Sequence, residues 1–332
     1  MHHGHDHHGH ANEHRHTHGM VSPSIATTGR GIWAIKWSFA GLAVTAALQA
    51  VVVVFSGSVA LLADTIHNIG DALTAVPLWI AFLFARRLPT RRFAYGFGRV
   101  EDLAGATIVI VILASAVLAA YHSVDRLLNP RDIEWVWVVA AAGAIGFIGN
   151  EAVAIFRIRV GREINSVALV ADGYHARTDG LASLSVFLGA IVVWAGFPIA
   201  DPIVGLGISA LIVRISYDSA RSVFGRMLDG VDPDVLDSVE HEVLSVPGVR
   251  SITYSRARWI GHRLHAEVHL TASGGSSLEE AHDLGARVSH SLSHAIPYMG
   301  ETVVHVDPAH QAGIAHHRTP AHEHDGLPPH GH

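Results

Sequence analysis

Cysteine is absent from the 332 residues of the chain. Neither a disulfide nor a thiolate ligand is therefore available, and a metal site must be built from histidine, aspartate and glutamate. Charge is scarce as well, at 16% of residues against a hydrophobic share of 49%, where soluble domains carry roughly a quarter charged. That balance excludes an ordinary soluble protein and predicts a membrane protein with a soluble part. The formal net charge is −6, and no basic surface that would suit nucleic acid is apparent. Histidine, by contrast, is abundant. The 27 histidines are counted as neutral in that charge, so the real charge rises steeply as pH falls through about 6.5.

The histidines gather at the ends. The first twenty residues hold nine, interspersed with Asp6 and Glu13 and without apolar periodicity, and residues 310–332 hold seven more among several prolines. By composition both ends are disordered tails. The first is not a signal peptide, because no apolar stretch follows a basic start within it. A purification tag would be an unbroken histidine run, so both are read as loose chelators that raise local metal concentration.

Six apolar segments lie between the tails, at about Ile32 to Phe55, Ser58 to Ala85, Val100 to His122, Ile133 to Arg157, Asn165 to Trp194 and Pro202 to Tyr217. Each is long enough, or nearly so, to span a bilayer as a helix, and Trp33, Trp37, Trp135 and Trp137 suit its interfaces. Arginines crowd the loops after the second segment (Arg86 to Arg92) and after the fourth (Arg157 to Arg162), and the exit of the sixth. By the positive-inside rule those loops and both termini face the cytoplasm.

One pattern occurs twice inside this region. Asp64, His67 and Asp71 in the second segment recur as Asp172, His175 and Asp179 in the fifth, each 108 positions later. Residues four apart share a helix face, so each segment presents an imidazole beside a carboxylate. Two such helices facing one another supply two nitrogens and two oxygens, a set suited to four-coordinate zinc or a similar divalent ion. Ionisable groups are costly at membrane depth, which favours a functional site over buried structural polarity. Asp64 and Asp172 lie near the same faces, as supporting partners or as a vestibule charge. Asn150 is placed either to hydrogen-bond the site or to bridge two helices.

The composition changes near Asp229, and the order helix, strand, strand, helix, strand follows as far as Pro308. Asp232-Pro233 is a helix start. Leu264, Ala266, Val268 and Leu270 alternate with His265, Glu267 and His269 as in a half-buried strand. Ser277 and Glu280 have capping-box spacing. The order is compatible with a ferredoxin-like α+β layer.

These features, with the paired His-x-x-x-Asp motifs, Tyr95-Gly96-Phe97-Gly98-Arg99-Val100-Glu101, Arg126-Leu127-Leu128-Asn129-Pro130 and Val246-Pro247-Gly248-Val249, resemble the cation diffusion facilitator family of dimeric divalent-metal/proton antiporters. The resemblance spans about Trp33 to Pro308. It implies an α-helical membrane protein: a six-transmembrane-helix bundle over residues 31–226 and a cytosolic ferredoxin-like α+β domain for metal binding and dimerisation over 227–309, flanked by tails 1–30 and 310–332. It also implies a homodimer in the plasma membrane, a multi-pass protein that exports zinc against protons and is not an enzyme. His67, Asp71, His175 and Asp179 become the transport site. His269, His282, His305 and Asp307 become a regulatory zinc site, in which Thr253 stands where several relatives have histidine, and His265 and Glu267 are candidate substitutes. Arginines replace the ligands that some relatives place between the second and third helices, so no metal is expected there.

The residues explain exchange on their own terms. With neutral imidazoles and ionised carboxylates the empty four-residue site carries −2, and either one divalent cation or two protons neutralise it. Cobalt, cadmium, iron and nickel accept the same ligands. A membrane histidine-box oxidase would need more than His67, His122 and His175, whereas a metal sensor or storage protein remains an alternative.

Overall fold

The computed structural model describes residues 23–56, 75–129, 136–197, 199–273, 276–308 and 312. His67 and Asp71, with Asp64, fall outside them, as do nearly all of both histidine-rich tails. The described helices are α1 (Pro23–Ser56), α2 (Ala75–Ala85, the end of the second apolar segment), α3 (Arg99–Leu128), α4 (Val136–Glu163), α5 (Val167–Trp194) and α6 (Ala200–Met227). Five of these, all but the short α2, are long and apolar enough to cross a membrane.

A bundle that faces lipid has apolar side chains on both its inside and its outside, so their position rather than their number defines the core. Ile35 of α1, Phe82 of α2, Ile112 of α3, Val160 of α4, Leu169 of α5 and Ile212 of α6 share one buried cluster. Ile110, Val117, Ile148 and Ile155 point outward and are exposed. Trp137 and Trp194, at the ends of α4 and α5 remote from the α4–α5 turn, lie with ring centroids 5.0 Å apart, an arrangement suited to a membrane interface.

The pairing of α4 with α5 depends on small residues. A Cβ on Gly173 would lie 2.9 Å from the backbone nitrogen of Ile158, and one on Gly143 would lie 2.9 Å from that of Phe187. Backbones this close admit only glycine. The α4–α5 turn is short: Asn165 adopts a φ of 57°, and Ser166 caps α5 by accepting the Leu169 backbone N–H at 3.1 Å.

One boundary expected from the sequence is corrected here. Arg157 to Arg162 is not a loop but the last turns of α4, which runs to Glu163. Arg157 is only 1% exposed. Its charge is tolerated because it is paired with Asp172 inside the bundle, so it does not belong to the basic count that sets orientation. Helices α1, α3 and α6 likewise extend beyond their apolar runs, because polar and charged residues at helix ends continue the backbone hydrogen bonding outside the apolar layer.

The C-terminal region forms α7 (Pro233–Ser245), β1 (Val249–Ile260), β2 (Arg263–Ala272), α8 (Leu278–Ala295) and β3 (Met299–Pro308). Asp232 caps α7 with proline at its first turn, and Ser277 and Glu280 form the capping box of α8. The sheet has the order β1-β2-β3, antiparallel between β1 and β2 and parallel between β2 and β3. In a ferredoxin-like layer another strand separates the two strands joined by the second helix. Here β2 and β3 pair directly, so among the described residues the β-α-β unit is closed rather than split. Val268, Leu270, Leu284, Val288 and Leu292 pack in its core, which places the helices on one face of the sheet and the alternate side chains of β2 on the other.

Candidate metal centre

His175 and Asp179 lie one helical turn apart on α5, with His175 Nδ1 3.7 Å from Asp179 Oδ2. Both side chains are largely withdrawn from the surface, at 1% and 10% exposure. Within this turn Thr178 donates its hydroxyl back to the His175 carbonyl at 2.7 Å. Asn150 of α4, also buried, lies against Gly180, where an added Cβ would be 3.3 Å from its own. An imidazole nitrogen and a carboxylate are thus presented together, as the spacing predicted, within a low-dielectric bundle.

Asp172 has a different role from its neighbours. Its Oδ2 lies 3.0 Å from Arg157 Nη1, with the two side chains 0% and 1% exposed. The pair cancels its own charge, which sets Asp172 apart from His175 and Asp179. A second pair links the same helices about one and a half turns further along, with Arg177 donating to Glu151 at 2.6 Å and 3.1 Å. Sequence reasoning missed both pairs. The available signal was an arginine and a glutamate inside an otherwise apolar helix, which at that depth demand opposite charges nearby.

In the C-terminal domain His269 of β2 is directly opposite His305 of β3, with ring centroids 4.9 Å apart. His305 Nε2 lies 2.9 Å from Asp307 Oδ1, and His269 Nε2 lies 3.3 Å from Glu267 Oε1. Glu267 also receives Arg256 Nε at 2.8 Å, and this contact holds its carboxyl below the usual carboxylate range. His265 stands apart against Gly300, where burial lowers its pKa. His282 lies on α8, on the opposite layer, and is not brought to the pair within one chain. Thr253 donates its hydroxyl to the His269 carbonyl at 3.2 Å. Among the described residues no three His, Asp or Glu side chains converge as a metal-binding group. The donor chemistry of His269, His305 and Asp307 fits a divalent ion, but the strands offer it as adjacent pairs.

The family model described as the cation efflux transmembrane domain matches residues 35–228, and that described as the cation efflux protein cytoplasmic domain matches 231–309. The chain therefore belongs to the cation diffusion facilitator family: it is a multi-pass membrane protein of the cation efflux class. It is 51% identical over 289 residues to the Mycobacterium tuberculosis protein named "Probable cation efflux system protein", with 87% of each chain covered. It is 28% identical over 277 residues to magnetosome protein MamB of Paramagnetospirillum magneticum, covering 83% of this chain and 93% of that one. Among solved structures it resembles the MamM CTD in a nickel form, at 22% identity and a TM-score of 0.23, covering 23% of this chain and 98% of that one.

Proposed function

We propose that the chain exports a divalent cation, zinc above others, from the cytoplasm in exchange for protons, through His67, Asp71, His175 and Asp179. The observation that carries this reading is the identical Asp-x-x-His-x-x-x-Asp register in two apolar segments 108 positions apart. In support, the second copy holds its imidazole and carboxylate side by side in the bundle. Because Arg157 neutralises Asp172, the charge that α5 contributes to the site is that of Asp179 alone. With Asp71 from the other copy the empty site carries −2. One divalent cation or two protons balance it, and neither can be accommodated with the other, so binding of one expels the other. Exposure of the site to alternate faces turns that competition into antiport.

In the same reading the protein has six transmembrane helices and is a homodimer in the plasma membrane, with both termini cytoplasmic, and the C-terminal domain carries a regulatory zinc on His269, His305 and Asp307. His282 is read into the same set from the sequence, although it lies on α8 rather than on the strands. The domain limits are those read from the sequence. Zinc flux into proteoliposomes tests the transport site: Asp179→Ala should abolish uptake while the purified protein keeps its oligomeric state. Near-parental uptake by that variant would remove Asp179 from the mechanism. A sensor or storage protein would bind zinc without uptake in the parent.

A further inference from the structure

The turn joining β1 to β2 is the tip of a hairpin, a place where a chain ordinarily lies in solvent. Here it is buried in the membrane domain. Gly261 has a φ of 59°, and a Cβ there would fall 2.8 Å from Glu101 Oε2 and 2.9 Å from the Gly98 carbonyl. Gly98 reciprocates, since its own Cβ would stand 3.0 Å from the Ile260 carbonyl. Two glycines therefore let the turn meet the start of α3 backbone to backbone.

His262 follows, 4% exposed. Its Nδ1 is 2.7 Å from Glu101 Oε2, its Nε2 is 2.9 Å from Thr27 Oγ1, and its ring centroid is 6.2 Å from that of Phe82. Glu101 is itself 1% exposed. One side chain of the C-terminal domain thus touches α1, α2 and α3 at once. Arg263, the next residue, donates to the Met299 carbonyl at 2.6 Å and ties the turn to the first residue of β3. Both imidazole nitrogens are engaged, so His262 is not available as a metal ligand in this arrangement. A buried polar contact is satisfied in one geometry, whereas an apolar contact tolerates sliding. This makes the turn a specifying joint rather than simple adhesion.

We propose that His262 is a positioning residue for transport. Through Glu101 and Thr27 it fixes how the domain-facing ends of α1, α2 and α3 sit against one another, so a displacement of the C-terminal domain is passed to the bundle. The path continues along α2, the end of the segment that carries His67 and Asp71. This last link rests on the transport-site reading above.

The test uses the full chain in proteoliposomes, with initial zinc flux measured against zinc concentration. In His262→Ala the maximal flux should fall about tenfold, the factor equivalent to one well-made buried hydrogen bond, with an unchanged half-saturating concentration. His262→Gln, whose amide both donates and accepts, should recover most of it. Glu101→Gln should lose a similar factor, and the double variant with His262→Ala should be no worse than either single one. Full flux in His262→Ala, losses that multiply in the double variant, or a Gln variant as poor as Ala would each overturn the proposal. The chain has no cysteine, so Thr27→Cys gives a unique thiol for a membrane-impermeant maleimide. It should react slowly alone and faster when combined with His262→Ala. If the parent passes no zinc, the transport-site reading has failed, and thiol protection judges the joint separately: equal labelling in both backgrounds would overturn it.

Discussion

At the scale of single residues the Arg157–Asp172 pair makes the sharpest prediction. Removing one member leaves a buried charge uncompensated, which costs roughly 3–5 kcal/mol, whereas replacing both with apolar residues of similar volume is close to neutral. Asp172→Asn should therefore lower the melting temperature in detergent and the yield of monodisperse protein. The double variant Arg157→Leu with Asp172→Leu should regain stability and much of the zinc flux. A stable double variant without flux would return Asp172 to the transport site.

His265 makes a prediction about pH. Burial holds its imidazole below the ordinary 6.5, against the opposing charge of Glu301. The unfolded chain takes up that proton near 6.5 while the folded domain does not, so the folded state binds fewer protons and its stability falls as pH drops below 6.5. Thermal unfolding of the C-terminal domain, followed in the full chain from about pH 7.5 to about 5.5, should show a shallower pH slope in His265→Gln than in the parent. Identical slopes would show that His265 is not part of this linkage.

At the scale of elements, α4 and α5 behave as one body. Two oppositely directed ion pairs, Arg157 to Asp172 and Glu151 to Arg177, cross a contact so close that glycine backbones touch the facing helix. Gly173→Val would place its Cβ against the Ile158 backbone, an atom that cannot move aside. Overpacking of this kind costs about 1–3 kcal/mol, and it also draws Asp172 away from Arg157. We expect loss of both stability and flux, while Gly207→Ala on α6, where nothing lies within 4 Å of an added Cβ, should match the parent. Equal melting temperatures for the two variants would show that the helices are not packed in this way.

At the scale of the whole molecule, cation delivery and cation passage are assigned to different parts. The N-terminal tail has nine histidines in twenty residues and no helical or strand periodicity. A histidine-rich chelating segment raises local concentration without performing the exchange. Deleting the residues before Ser22 should weaken uptake when zinc is scarce and leave maximal uptake nearly unchanged. Complete loss of flux would mean that the tail is part of the permeation machinery.

The apolar runs, the shift in composition near Asp229 and the two caps at Asp232 and Ser277 announced the bundle and the layered domain, because backbone satisfaction in lipid and capping chemistry are local demands written in local residues. The spacing of His175 and Asp179 likewise foretold their proximity, since a helix alone brings residues four apart together. The sequence could not show that Asp172 is matched by Arg157 fifteen positions earlier, or that the tip of a hairpin near residue 262 enters the bundle at Glu101. It equally left open that β2 and β3 would close directly on one another. Each of these depends on which elements lie side by side. That is decided by glycine-sized clearances, buried charge and shape complementarity between segments distant along the chain, and only the tertiary structure contains it.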